Sequence, residues 1–120
     1  MLTHIKQPIQ TIHIVEDGHV TSPKGFTAGG VHTGLRKSAL DFGWIHSEIP
    51  ATAAGVYTLN SFQAAPLKLT KQHVDKAQKI QTMVVNSGNA NSCTGEDGLL
   101  KAQATAELVA YEKGIDEHLV

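Results

Sequence analysis

The stretch from Met83 to Gly98 constrains the chain most. Met83-Val84-Val85-Asn86 is a short β-branched run that stops at a loop of Asn, Ser and Gly, and the loop feeds a helical pattern from about Glu96. An apolar run followed by turn residues predicts a buried strand over 82–86. Glu96 and Asp97 fall in the first helical turn, where the macrodipole favours acids. Between strand and helix lie backbone N–H groups with no partner in either element. Such groups are the raw material for holding an anion or a developing oxyanion.

The remaining elements follow from pattern. Glu16-Asp17-Gly18 between the β-prone runs 10–15 and 19–21 predicts a small hairpin. Phe26 to Gly34 is glycine-rich, which fits a crowded sheet centre better than a ligand contact, and its glycine spacing is not that of a dinucleotide loop. Leu40–Glu48 and Thr52–Thr58 predict two strands of an antiparallel hairpin turning at Ile49-Pro50-Ala51. Ala64-Ala65-Pro66-Leu67 reads as extended, and Thr70 as the cap of a helix from Lys71 to about Gln78, with Val74 and Ala77 on its apolar face. A second helix runs from Asp97 to about Lys113 and stops at Gly114, with Leu99, Leu100, Ala104, Leu108 and Tyr111 as the stripe expected to pack on a sheet. No repeat or linker divides the 120 residues, which read as one unit without an internal boundary.

Composition excludes several classes. With 41% hydrophobic and 18% charged residues the chain is expected to fold rather than stay disordered. A net charge of −1 with interspersed signs gives no nucleic-acid footprint and no basic membrane surface. One cysteine allows no internal disulfide, and no run has the length of a signal core or a membrane span, so a cytoplasmic location is expected.

Candidate chemical residues concentrate in the central loop. Thr94 and Gly95 sit at the helix start, where Thr94 is read from residue type alone as a helix cap. Cys93 beside them could carry a lowered pKa, but lone cysteines are more often small buried fillers. Asn86, Asn89 and Asn91 could donate amides to a substrate, and more commonly such residues hold a loop's own turns. His4, His13, His19, His32, His46, His73 and His118 lack the spacing of metal ligands, so no metal is expected. Glu96 and Asp97 are adjacent rather than opposed, which fits the helix dipole better than an acid/base pair. Lys24, Arg36 and Lys37 read as solvated surface bases.

Three motifs add a family resemblance. Lys-Gly-Phe-Thr-Ala-Gly-Gly-Val-His-Thr-Gly at 24–34, Pro-Ala-Thr-Ala-Ala-Gly-Val-Tyr-Thr-Leu-Asn at 50–60 and Val-Val-Asn-Ser-Gly-Asn-Ala-Asn-Ser-Cys-Thr-Gly at 84–95 resemble, in order, the N-terminal region of glutamate N-acetyltransferase, also called ornithine acetyltransferase. The resemblance runs from about Pro23 to about Leu119. It implies an α/β fold, a layered αββα-type sandwich of the ornithine acetyltransferase/DmpA-like kind. It also implies a precursor that cuts itself at an Ala–Thr bond within Asn-Met-Ala-Thr and frees a nucleophilic Thr on the downstream chain. Ala51-Thr52 and Ala104-Thr105 lack that context, so no nucleophile is expected in these residues, and the chain is expected to be the N-terminal part of the α-chain.

The family role carried onto Thr94 and Gly95 is the oxyanion hole, and with the resemblance that role replaces the cap. The implied partners are a β-chain from the same precursor, the substrates N-acetylornithine and glutamate, and a hetero-oligomer of α and β chains, without nucleic acid or membrane. No cofactor is implied, and acetyl-CoA stays open as a co-substrate. Two other readings stand beside this one: a self-cleaving aminopeptidase or amidase of the same fold, and a non-catalytic scaffold. The 120 residues alone are expected to be inactive.

Overall fold

A computed structural model describes residues 13–120. Three strands, β1 (Phe26–Val31), β2 (Phe42–Thr52) and β3 (Lys79–Asn86), form an antiparallel sheet in the order β1-β2-β3. Helix α1 (Ala65–Ala77) joins β2 to β3, and α2 (Gly95–Lys113) follows β3, with a short 3₁₀ turn at Glu117–Leu119. The register pairs Gly29 with Trp44 and Trp44 with Val84, and Thr27, His46 and Thr82 likewise stand in one row. Residues directly opposite share a face. Trp44, His46, Thr82 and Val84 therefore lie on one side of the sheet, while Ile45, Met83 and Val85 lie on the other.

The crowding expected over 26–34 is present at Gly29, where a Cβ would run into the Trp44 indole. The strand that carries it is at an edge of the described sheet rather than its centre.

The expected hairpin at Pro50 is not formed. β2 continues through Pro50 to Thr52, and residues 53–64 are irregular. His46 pairs with Thr82 and Ala51 with Ile80, so β2 advances five residues while β3 advances two. The surplus at 47–50 is a bulge, and Pro50, which has no N–H for a ladder, stands inside it. The Gln81 side chain spans the bulge by donating Nε2–H to the Glu48 carbonyl at 3.1 Å.

Helix α1 begins six residues before the expected start. Its N-cap is Ala64, Pro66 lies in the first turn, and Thr70 is inside the helix rather than its cap. A proline is tolerated there because the first-turn N–H groups have no intrahelical acceptor in any case. Of the expected apolar face, Val74 is buried and Ala77 is exposed, and His73 is buried in its place. At the N-terminal side, the Glu16-Asp17 turn forms, with Gly18 N–H on the Val15 carbonyl at 3.1 Å. Residues 13–21 contain no strand to flank it, and the part of that hairpin before residue 13 lies outside the described residues.

Helix α2 ends as expected at Gly114, whose φ of 65° lets its N–H and that of Ile115 return to the Tyr111 and Ala110 carbonyls. Its packed face differs from the expected stripe. Ala106 and Ala110 are buried, whereas Leu100, Leu108 and Tyr111 are 66%, 61% and 82% exposed. Small residues face inward because α1 and α2 pack directly on each other, with Gly98 opposite Ala65. A leucine in place of a buried alanine of this face would have to displace the groups packed on it. Ala110→Leu is expected to lower the unfolding free energy by about 2 kcal/mol, and Leu108→Ala to change it by no more than about 0.5 kcal/mol. Urea unfolding of the two variants checks both values, and the reverse ranking would refute the assigned face.

Candidate functional site

The loop 87–94 leaves β3 at Asn86 and enters α2 at Gly95. Three asparagines shape it. Asn91 Nδ2–H donates to Asn86 Oδ1 at 2.9 Å, Asn89 Nδ2–H donates to Asn91 Oδ1 at 3.3 Å, and the Asn91 carbonyl accepts the Ala65 N–H at 3.2 Å. Each of the three amides makes at least one bond within the loop, and Asn91 also ties the loop to the start of α1.

The loop closes with an alternation of backbone sign. φ is 57° at Cys93, −98° at Thr94 and 61° at Gly95. Such alternation turns successive N–H groups to one side, and a helix start adds N–H groups that have no intrahelical acceptor. Gly95 meets nothing within 4 Å of an added Cβ, so the glycine there serves its positive φ rather than a close contact.

Thr94 is the N-cap of α2 by its backbone, its carbonyl accepting the Gly98 N–H at 3.1 Å. Its side chain makes no capping bond. The hydroxyl instead donates to the Asn91 carbonyl at 3.3 Å, a long bond that is given up at small cost. Gly98 leaves it room, since a Cβ there would collide with the Thr94 side chain. Thr94 and Gly95 are exposed, and both line a cavity of about 340 Å³ with Phe62, Lys68 and Cys93. Thr94 also borders a larger cavity of about 640 Å³ between the helices and the sheet.

The other candidates fall elsewhere. Cys93 is exposed rather than a buried filler. Lys24, Arg36 and Lys37 are exposed. His13, His19 and His32 are exposed, His73 is buried with its Nδ1–H on the Val120 carbonyl at 2.7 Å, and His46 and His118 are half-buried. His4 lies outside the described residues. Among the described residues no three His, Cys, Asp or Glu side chains converge as metal ligands, and no helix is long and apolar enough to cross a membrane.

Two residues escaped the reading of the sequence. Tyr57 lies over Gly55 with its hydroxyl buried and unpartnered, and Lys71 Nζ stands 5.8 Å from its ring centroid. Asp41 is 3% exposed, and its carboxylate accepts the Thr33 N–H at 2.6 Å, the Thr33 hydroxyl at 2.7 Å and the Arg36 N–H at 2.9 Å. Burial alone would raise this carboxyl, but these donors and nearby His32 outweigh it and hold the group well below the ordinary carboxylate range. An acid directly before an apolar strand and eight residues after a Thr was the only signal, and it is a weak one.

The fold and the loop define a class. In the crystal structure of arginine biosynthesis bifunctional protein ArgJ from Bacillus halodurans, 88% of this chain superposes on 56% of that one with a TM-score of 0.86 and 49% identity. The ornithine acetyltransferase of Mycobacterium tuberculosis, solved with ornithine, matches 77% of this chain and 48% of that one with a TM-score of 0.72 and 44% identity. The fold is therefore the α/β fold of these proteins. The arginine biosynthesis bifunctional protein ArgJ of Oceanobacillus iheyensis is 54% identical over 93% of this chain, and that of Staphylococcus saprophyticus 51% over 93%. Residues 27–120 match the ArgJ family, and the chain belongs to it. It spans 28% and 27% of the length of those two relatives.

One titration in the sheet gives a test of the geometry. His46 Nδ1 is 2.7 Å from the Thr82 hydroxyl, and Thr82 is 1% exposed. Burial, then the charge of Lys113, pushes the imidazole below its ordinary 6.5, with Glu48 opposing. The unfolded chain therefore binds this proton more readily than the folded one. The associated stability is complete above the ordinary imidazole pKa and is lost as pH falls below it. Urea unfolding in steps from about pH 8 to pH 5 should show that loss, and His46→Gln should flatten it. An equal slope in the variant would assign the acid loss to other groups.

Proposed function

We propose that this chain is the upstream part of a glutamate N-acetyltransferase of arginine biosynthesis, and that Thr94 and Gly95 hold the oxyanion of its acyl transfer. The observation that carries the reading is the Cys93–Gly95 turn. Its φ alternation gathers backbone donors at a cavity, and the Thr94 hydroxyl beside them is spared from capping the helix. An N–H held by the loop stabilises a new negative oxygen without reorganising, and the Thr94 hydroxyl joins it by giving up its 3.3 Å bond to the Asn91 carbonyl.

The nucleophile in this reading is the N-terminal Thr of a downstream chain, freed by self-cleavage of a common precursor. Its hydroxyl oxygen bonds to the acetyl carbon of N-acetylornithine, and the carbonyl electron pair moves onto oxygen, facing Thr94 and Gly95. Collapse breaks the C–N bond, and the ornithine amine leaves with a proton. The glutamate amine then attacks the acetyl-threonine ester, the Thr oxygen departs and regains its proton, and N-acetylglutamate is released. Two half-reactions through a covalent intermediate give ping-pong kinetics. The reading assigns no cofactor, admits acetyl-CoA as a second acetyl donor, and makes the working enzyme a cytoplasmic hetero-oligomer of the two chains.

Two comparisons support it. The M. tuberculosis relative is named for ornithine acetyl transfer and was solved with ornithine. Moreover, similar stretches of this chain cover 28% of the O. iheyensis protein but 56% of the solved B. halodurans chain, so that solved chain is about half as long as the O. iheyensis protein. A precursor divided into two chains accounts for the difference.

Thr94→Val in the complete gene tests the assignment. Acetyl transfer is expected to slow by about 10² to 10³-fold, the usual cost of one oxyanion donor. An unchanged rate, measured as glutamate acetylation with N-acetylornithine as donor, would return Thr94 to a purely structural place at the helix start.

A further inference from the structure

We infer that Asp41 is a positioning residue for acyl transfer: its carboxylate fixes the 32–36 turn, and that turn sets the root of the loop that carries Thr94 and Gly95. The inference rests on the oxyanion reading of those two residues.

Asp41 is tied to both segments. Its carboxylate takes the Thr33 N–H and hydroxyl on one oxygen and the Arg36 N–H on the other. His32 Nδ1–H, bonded to the Ala39 carbonyl at 2.8 Å, lies 3.2 Å from the second oxygen. Asp41's own carbonyl accepts the Ser87 N–H at 2.8 Å, the first N–H beyond β3, and its N–H donates to Val31 at 3.1 Å. One residue thus closes the β1–β2 turn with its side chain and starts the 87–94 loop with its backbone.

The turn so fixed is the floor under Gly88. Gly88 has a φ of 83°, and a Cβ there would stand 3.2 Å from the Leu35 carbonyl oxygen and 3.3 Å from its carbon. If the 33–36 backbone shifts, Gly88 shifts with it. From Asn86 the displacement passes through the 2.9 Å side-chain bond to Asn91, from which the loop backbone runs through Cys93 to Thr94 and Gly95. The path from the buried carboxylate to the oxyanion donors runs through the Asp41–Ser87 and Asn86–Asn91 hydrogen bonds and the loop backbone between them. Asp41 itself touches no reacting atom.

Asp41→Asn keeps the volume but turns one acceptor into an NH₂ group facing an N–H donor. In the enzyme made from the complete gene, kcat per competent site is expected to fall about 10 to 100-fold, the cost of a displaced catalytic group. KM should hold, because the loss is of transition-state stabilisation alone. Competent sites are counted by the amplitude of the acetyl-enzyme burst. The deciding measurement is the double-mutant cycle with Thr94→Val. If Asp41 acts through Thr94, D41N costs much less in the T94V background than in the wild type. A D41N enzyme with unchanged kcat, or losses that multiply fully, would overturn the positioning role while leaving the oxyanion reading intact. A T94V enzyme with unchanged kcat would remove the oxyanion reading and this inference with it.

Thr33→Val carries the same cycle if D41N fails to fold. It deletes only the 2.7 Å hydroxyl bond and keeps the backbone donor. A several-fold fall in kcat that shrinks in the T94V background supports the inference, and no fall, or an equal fall in both backgrounds, overturns it.

Discussion

A buried carboxylate has to have its lone pairs filled, and Asp41 fills them from one short turn. The requirement is severe because a charge without partners in a low-dielectric site is among the costliest defects a fold can carry. Satisfying it forces residues 32–36 to curl back on the start of β2. That curl places Leu35 and Arg36 beneath Gly88, and the loop from β3 to α2 is thereby given a floor. The strand–loop–helix unit that carries Thr94 and Gly95 is thus held from below by a charge and from within by the Asn86–Asn91 pair.

The helix layer obeys a different constraint. α1 and α2 touch through Ala65, Gly98 and their small neighbours, so the helices approach closely and the large apolar residues of α2 are left outside the contact. Close approach also brings the Ala65 N–H to the Asn91 carbonyl, which fastens the central loop to the first turn of α1. The two constraints meet at Asn91, which receives one anchor from the sheet side and one from the helix side.

Much of this was legible in the sequence. The strand ending at Asn86, the acidic start of α2 and its glycine stop at 114 are encoded by neighbouring residues and stand where the pattern put them, although the strand is not buried as expected, Met83 and Val85 being exposed on the face away from Thr82. The Thr94-Gly95 pair was singled out by three motifs rather than by local preference, which favoured a cap. What misled were features whose meaning depends on a distant partner. Pro50 looks like a strand breaker, yet β3 tolerates it because the register slips around it. Pro66 looks like the end of an extended piece, yet it sits in a first turn where no N–H is required. The stripe from Leu100 to Tyr111 has the right period for a packed face, and only the approach of α1 shows that the alanines face inward. Asp41 is a single residue in sequence and a hub only in three dimensions, so its spacing from Thr33 is too weak a signal to reveal it.

Intact-mass spectrometry under denaturing conditions, on the product of the complete gene mixed with N-acetylornithine, bears most directly on the central claim that this loop serves acyl transfer to a downstream threonine. The expected result is two chains, the upstream one containing residues 1–120 and unmodified, the downstream one beginning with Thr and heavier by one acetyl group. A single uncut and unmodified chain would contradict the acyl-enzyme reading and leave Thr94 and Gly95 as a helix start and nothing more.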